Sequence, residues 1–76
     1  MPWQYDFTEL VGRVAALRKR TAAAAARLAE TEEQVARTQD GLAFREPGNP
    51  EHKRRADQAR EAVFRAREIE RKYSGA

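Results

Sequence analysis

The sequence predicts an all-α fold: a hairpin of two antiparallel helices that associates into a two-fold dimeric four-helix bundle of the coiled-coil type. An uncharged series of residues recurs at alternating intervals of three and four from Phe7 to Leu42, as in long helices that pack lengthwise. A Pro-Gly turn follows, and a second, shorter stretch has helical spacing. We expect helices over about residues 6–43 and 50–73, joined by a turn over 44–49.

The composition favours a chain that needs a partner. Seventy-six residues make one small domain, and ordering costs about 1.5 kcal/mol per residue, which a core of this size scarcely offsets. The chain has no cysteine, so disulfides and thiolate metal sites are excluded, and its single histidine does not suffice for a zinc site. We therefore expect no metal and no cofactor. Because the small core scarcely offsets the cost of ordering the chain, we expect association into an oligomer to supply the remaining stability.

The first helix has a clear start. Residues 1–5 form an aromatic arm, and Asp6 is a good N-cap, with Glu9 completing a capping-box pattern. Tyr5 and Leu10 occupy the positions of a hydrophobic staple. The helical-hairpin domain is therefore expected to begin at residue 6.

The first helix has two unlike halves. Up to Leu17 the three-and-four series is bulky, and Val11 widens it, whereas from Thr21 onward it is small and polar. Five consecutive alanines, Ala22–Ala26, separate the halves and would let another backbone approach closely.

The second helix also has clear ends. Asn49 is its predicted N-cap, followed by Pro50 at the first helical position, and residues 74–76 form a short tail. We expect the domain to cover residues 6–73. The apolar face of this helix is narrow and mostly alanine: Ala56, Ala59, Ala62, Val63, Ala66, Ile69 and Tyr73.

The unequal helix lengths predict the dimer. Counting back from the turn places Tyr73 level with about Thr21, so the second helix should cover the second half of the series and leave the first half bare. We expect two copies of the first helix to cross antiparallel at Ala22–Ala26, which sets basic Arg13–Arg20 beside acidic Glu30–Glu33. A different protein using the same face is the alternative. The predicted interface comprises Phe7, Leu10, Val11, Val14, Leu17, Ala22, Ala25 and Leu28.

Nothing in the sequence predicts catalysis. A nucleophile needs an adjacent base, yet the only serine is Ser74 in the tail and the only histidine is His52, which we expect to be solvent-exposed. We therefore expect no catalytic residues. The predicted function is a non-catalytic protein–protein interaction module, a small dimeric adaptor, scaffold or regulator with an unidentified protein partner.

Two alternatives remain. A strip of the second helix could contact nucleic acid or a protein partner; it consists of Lys53, Arg60, Phe64, Arg67 and Arg71. The apolar face of the first helix, flanked by arginines, also has the composition of a helix that lies on a membrane surface, although its heptad spacing favours helix packing. No segment reaches the length of a membrane span and no signal peptide is present, so we expect a cytoplasmic protein, and the many arginines and alanines suggest a GC-rich bacterial source.

Overall fold

The computed structural model describes residues 6–75, which form two helices and no strand. Helix α1 spans Phe7–Arg45 and helix α2 spans Pro50–Tyr73, and the two pack against each other as an antiparallel hairpin about 70 Å long. The predicted hairpin is therefore confirmed. The predicted aromatic arm, residues 1–5, and its hydrophobic staple lie outside the described residues.

The N-terminus of α1 is capped as the sequence predicts. The Asp6 side chain accepts a hydrogen bond from the backbone N–H of Thr8 at 3.0 Å, which satisfies one of the free donors of the first turn. Glu9 does not complete a capping box; its carboxylate accepts from Arg13 instead, at 3.0 Å. A single capping side chain thus starts the helix.

The turn is shorter than predicted because α1 continues through Arg45, two residues past the expected end. The N–H of Glu46 donates to the carbonyl of Leu42 at 2.8 Å and closes the last helical turn. Asn49 then begins α2: its side chain accepts from the N–H of Glu51 at 3.0 Å. Only residues 46–49 remain for the connection.

His52 holds the turn against α1 and is not solvent-exposed as predicted, since only 15% of its side chain is accessible. Its Nδ1 lies 3.1 Å from Oε1 of Gln39 on α1, and its Nε2 lies 2.6 Å from Oε2 of Glu46 in the turn. The first turn of α2 faces α1, so a side chain there can reach partners from both elements. The histidine therefore fixes how the two helices leave the connection.

The core of the hairpin is made of alanine. None of the described residues larger than alanine is fully buried, and the buried side chains recur at the spacing of an antiparallel coiled coil. Methyl groups at these positions let the two backbones approach each other closely. The buried residues are Ala22, Ala25, Ala29 and Ala36 on α1 and Ala56, Ala59 and Ala66 on α2.

This core corrects one prediction. The series from Phe7 to Leu42 was expected to pack on α2 over its second half, but Leu28 and Val35 in that half are 50% and 39% exposed. The buried row of α1 lies one residue further along, at Ala29 and Ala36, and one residue turns a helix face by about 100°. The small row wins because leucine and valine at the contact would hold the backbones apart.

Enlarging one buried alanine tests this close contact. We expect Ala29→Leu to lower the free energy of unfolding by about 1–3 kcal/mol or more, because the tight seam has no room for the larger side chain. Ala23→Leu is the matched control, since Ala23 is exposed on the same helix and should change the stability little. Urea unfolding followed by circular dichroism measures both, and equal effects would contradict the alanine seam.

Removing the histidine tests the turn. His52→Ala loses the contacts with Gln39 and Glu46 and should lower the free energy of unfolding by about 1–2 kcal/mol. Lys53→Ala is the control, because the ammonium of Lys53 is exposed and bonds only to Asp57, at 3.2 Å. An effect of His52→Ala no larger than that of the control would show that the histidine does not hold the turn.

Candidate interaction surface

The three-and-four series of α1 forms one stripe, which we call the α1 stripe; it is exposed from Phe7 to Thr38 and half-buried at its last member, Leu42. Its large members are accessible both beyond the end of α2, where Leu17 is 60% exposed, and beside α2, where Leu28 is 50% exposed. A solvated helix face normally carries charges, and this one carries none. The α1 stripe consists of Phe7, Leu10, Val14, Leu17, Thr21, Ala24, Leu28, Thr31, Val35, Thr38 and Leu42.

The N-terminal part of α1, residues 7–17, extends past α2; we call it the overhang. The end of α2 comes level with Arg18 of α1, directly after the overhang. The Arg18 guanidinium lies 5.5 Å from the ring centre of Tyr73 and donates a hydrogen bond to the carbonyl of Lys72 at 3.4 Å. The positive side chain covers the carbonyl end of α2, where the helix dipole is negative. The predicted level of Tyr73, near Thr21, is therefore correct to within one turn.

Two of the three threonines of the α1 stripe, Thr21 and Thr31, donate their hydroxyl hydrogen bonds to α1 itself. The Thr21 hydroxyl donates to the carbonyl of Leu17 at 3.0 Å, and that of Thr31 donates to the carbonyl of Arg27 at 3.1 Å. A hydroxyl bonded to its own helix can be covered by another protein without losing a water partner. The stripe can therefore be buried at Thr21 and Thr31 as well as along its bulky half.

The structure divides the predicted interface residues into two groups. Ala22 and Ala25 are buried against α2, so their methyl groups are already used within the hairpin. Of the alanine tract, Ala24 lies on the α1 stripe and is exposed. The large predicted residues all remain exposed, and Val11 lies beside Leu10 on the edge nearest to the row that faces α2.

Two ion pairs between the helices mark one lateral side of the hairpin, which we call the paired-ion side. Arg67 bonds to Glu33 at 3.1 Å, and Arg60 bonds to Asp40. Each of these residues follows by one position a residue that faces the other helix. The α1 stripe precedes that facing row by one position, so it lies on the opposite side of the hairpin.

The predicted basic strip of α2 lies on the paired-ion side, and carboxylates pair with all of its cations. The hydrogen bond that Arg60 donates to Asp40 raises the pKa of Arg60, and those that Arg67 donates to Glu70 and then to Glu33 raise the pKa of Arg67. These charges are less available to phosphates than the sequence suggests, and nucleic-acid contact stays an untested prediction. The remaining contacts are Lys53 with Asp57 at 3.2 Å, Arg60 with Asp57 at 3.2 Å, and Arg71 with Glu68 at 4.0 Å.

Phe64, the apolar member of the strip, is 62% exposed. It lies between Arg60 and Arg67 on the paired-ion side, one helical turn from each. The sequence also suggests that the aromatic arm of a second copy could cover Phe64, but residues 1–5 lie outside the described part of the chain. Phe64 is therefore placed on the surface opposite the α1 stripe.

Within residues 6–75, no group of three or more histidine, cysteine, aspartate and glutamate side chains is arranged to hold a metal ion. Neither described helix is apolar over a length that could cross a bilayer. Comparison with models of protein families, with curated proteins and with solved structures found no match.

Proposed function

We propose that this chain is a non-catalytic protein–protein interaction module that dimerises through the α1 stripe into a four-helix, coiled-coil-like assembly. One observation carries the proposal: the stripe stays exposed from Phe7 to Thr38, while the fully buried core of the hairpin contains only alanine. Burying a large apolar side chain stabilises by about 1.5–3 kcal/mol, and the hairpin gains little of this on its own. Association of the stripes supplies the missing burial.

The accessible surface of the chain supports this proposal. It amounts to 6377 Å², whereas compact monomers of 8.7 kDa expose about 4,700 Å². A standard protein–protein interface removes about 800 Å² from each partner. The excess is therefore large enough for such an interface and more.

Charge supports a second copy of the chain, arranged antiparallel, as the occupant of the stripe. In the described part of the chain, Arg18 and Arg20 have no carboxylate partner, and neither Glu30 nor Glu32 has a cationic one. If two α1 helices cross antiparallel near Ala24, Arg18 comes within one turn of the level of Glu32 of the other copy, and both residues lie on the edge of the stripe that turns toward α2. A parallel pair would instead set like charges beside each other.

Such a dimer is suited to an adaptor, scaffold or regulator. Each copy would use its stripe for self-association and present the paired-ion side outward, where an additional protein partner can bind.

Charge placed on the stripe tests the dimer. We expect Leu10→Lys with Leu17→Lys to abolish dimerisation, because two ammonium groups would be buried in the interface. The matched control is Ala16→Lys with Ala23→Lys, which adds the same charge on the face of α1 opposite both α2 and the stripe. Sedimentation equilibrium at micromolar concentration should give about twice 8.7 kDa for the natural chain and the control. A natural chain that is fully helical and sediments as a monomer would overturn the proposal.

Thiol cross-linking tests the antiparallel orientation separately. The natural chain has no cysteine, so one introduced thiol is the only reactive group. Ala24→Cys should be joined into covalent dimers by a short bis-maleimide, since Ala24 lies near the two-fold axis. Leu10→Cys should not, because two Leu10 positions would lie roughly 40 Å apart. Efficient cross-linking of both variants would indicate a parallel dimer and contradict the antiparallel arrangement.

A further inference from the structure

The two large apolar side chains that α2 exposes lie on different sides of the hairpin. Phe64 is 62% exposed and Ile69 is 42% exposed. Phe64 shares the paired-ion side with Arg60 and Arg67. Glu70 is partly buried and belongs to the row of α2 that faces α1, and Ile69 comes one position before it. The paired-ion residues come one position after that row, so Ile69 lies on the opposite side, which is the side of the α1 stripe. Ala62, seven residues earlier, lies on the same side.

The side of Ile69 carries no ion pair between the helices. Both ion pairs that link α1 to α2 in the described residues, Arg67 with Glu33 and Arg60 with Asp40, are on the other side. Leu28 and Val35 of α1 therefore share a continuous surface with Ile69, without a charged pair between the two helices there. The surface available for self-association is wider than the α1 stripe.

The overhang has an uncovered row that needs such a surface. The row of α1 that is buried against α2 continues beyond the end of α2 through Ala15 and Val11, and Val11 is 51% exposed. A second copy that covers only the α1 stripe would leave this row bare. Val11 lies on the edge of the stripe that turns toward α2, and in an antiparallel dimer it turns toward α2 of the other copy.

The positions of Ala62 and Ile69 along the hairpin axis match positions in and next to the overhang of a second copy. The ion pair of Arg67 with Glu33 and that of Arg60 with Asp40 place Ala62 beside about residues 33–38 of its own α1. An antiparallel crossing near Ala24 brings about residues 10–15 of the second copy to that level, and about residues 17–22 to the level of Ile69. The seven-residue step between Ala62 and Ile69 thus follows the heptad spacing of the overhang.

We infer that Ala62 and Ile69 of α2 are part of the self-association surface. Ala62 packs on Val11 and its neighbours in the overhang of a second copy, and Ile69 packs about one heptad further along that helix, near residues 17–22. Each overhang is then held by both helices of the other copy, and the paired-ion side with Phe64 faces solvent. This inference rests on the proposed antiparallel dimer. The two exposed side chains of α2 provide a matched pair for testing it.

Lysine at each of these two positions is the first test. We expect Ile69→Lys to raise the dissociation constant of the dimer by about tenfold or more, because a buried isoleucine is lost and a charge enters the contact. Phe64→Lys introduces the same charge on the paired-ion side and should leave the constant within about threefold of the natural value. Sedimentation equilibrium over a dilution series measures both, and circular dichroism at the same concentrations reports whether each variant is helical.

Cross-linking provides a second test that does not depend on losing an interaction. Two single-cysteine chains, Val11→Cys and Ala62→Cys, are mixed and treated with a short bis-maleimide. We expect covalent dimers that contain one chain of each kind, and none when Phe64→Cys replaces Ala62→Cys.

The outcomes separate this inference from the proposed dimer. If the stripe variant Leu10→Lys with Leu17→Lys is monomeric but Ile69→Lys dimerises normally and Val11→Cys does not link to Ala62→Cys, the dimer stands and the inference is overturned. Stronger weakening by Phe64→Lys than by Ile69→Lys also overturns it. A monomeric natural chain removes the dimer itself.

Discussion

The close approach of two helix backbones is the constraint on which the rest of this structure depends. Alanine occupies every buried position of the contact between α1 and α2. A contact of this kind excludes large side chains, so the leucines and valines of α1 lie elsewhere, one residue away along the helix. The exposed apolar stripe and the alanine core therefore have the same cause, because tight packing inside the hairpin leaves the bulky residues outside it.

The same constraint gives the hairpin two chemically different sides. Where the backbones are close, long side chains can bridge the helices from the edge of the contact, as Arg60 and Arg67 do to Asp40 and Glu33. These pairs are partly exposed, so they contribute modestly to stability, and their main effect is to neutralise charge on that side. The opposite side has apolar residues from both helices. A hairpin built this way has an apolar surface on one side and a polar, ion-paired surface on the other.

Much of the architecture could be predicted from the sequence. Asp6 and the Asn49-Pro50 pair are helix starts whose chemistry is local, so both were placed correctly. The end of α1 was placed two residues early because Phe44 and Arg45 carry no helical pattern of their own. Local signals thus fix where helices begin better than where they end.

Which row of α1 packs on α2 could not be predicted from such local signals. Two rows of α1, one residue apart, both have coiled-coil spacing, and the bulkier row gives the stronger hydrophobic signal although the alanine row makes the contact. Which row wins depends on the distance between backbones, a property of both helices together. His52 was misplaced for a similar reason: its partners, Gln39 and Glu46, come from α1 and from the turn. The proposed interaction surface was therefore predicted as a set of large residues, whereas its proposed extension to Ile69 required the structure of the hairpin.

The alanine core also has a consequence for heat capacity. The heat capacity change of unfolding grows with the apolar area that becomes hydrated, at about 0.45 cal/mol/K per Å². A contact made of methyl groups hides little such area, so a single hairpin should have a small heat capacity change and a flat dependence of stability on temperature. In the proposed dimer, most of the hidden apolar area belongs to the contact between copies. The curvature of the stability curve, and with it any cold denaturation, would then arise from association more than from the folding of one chain.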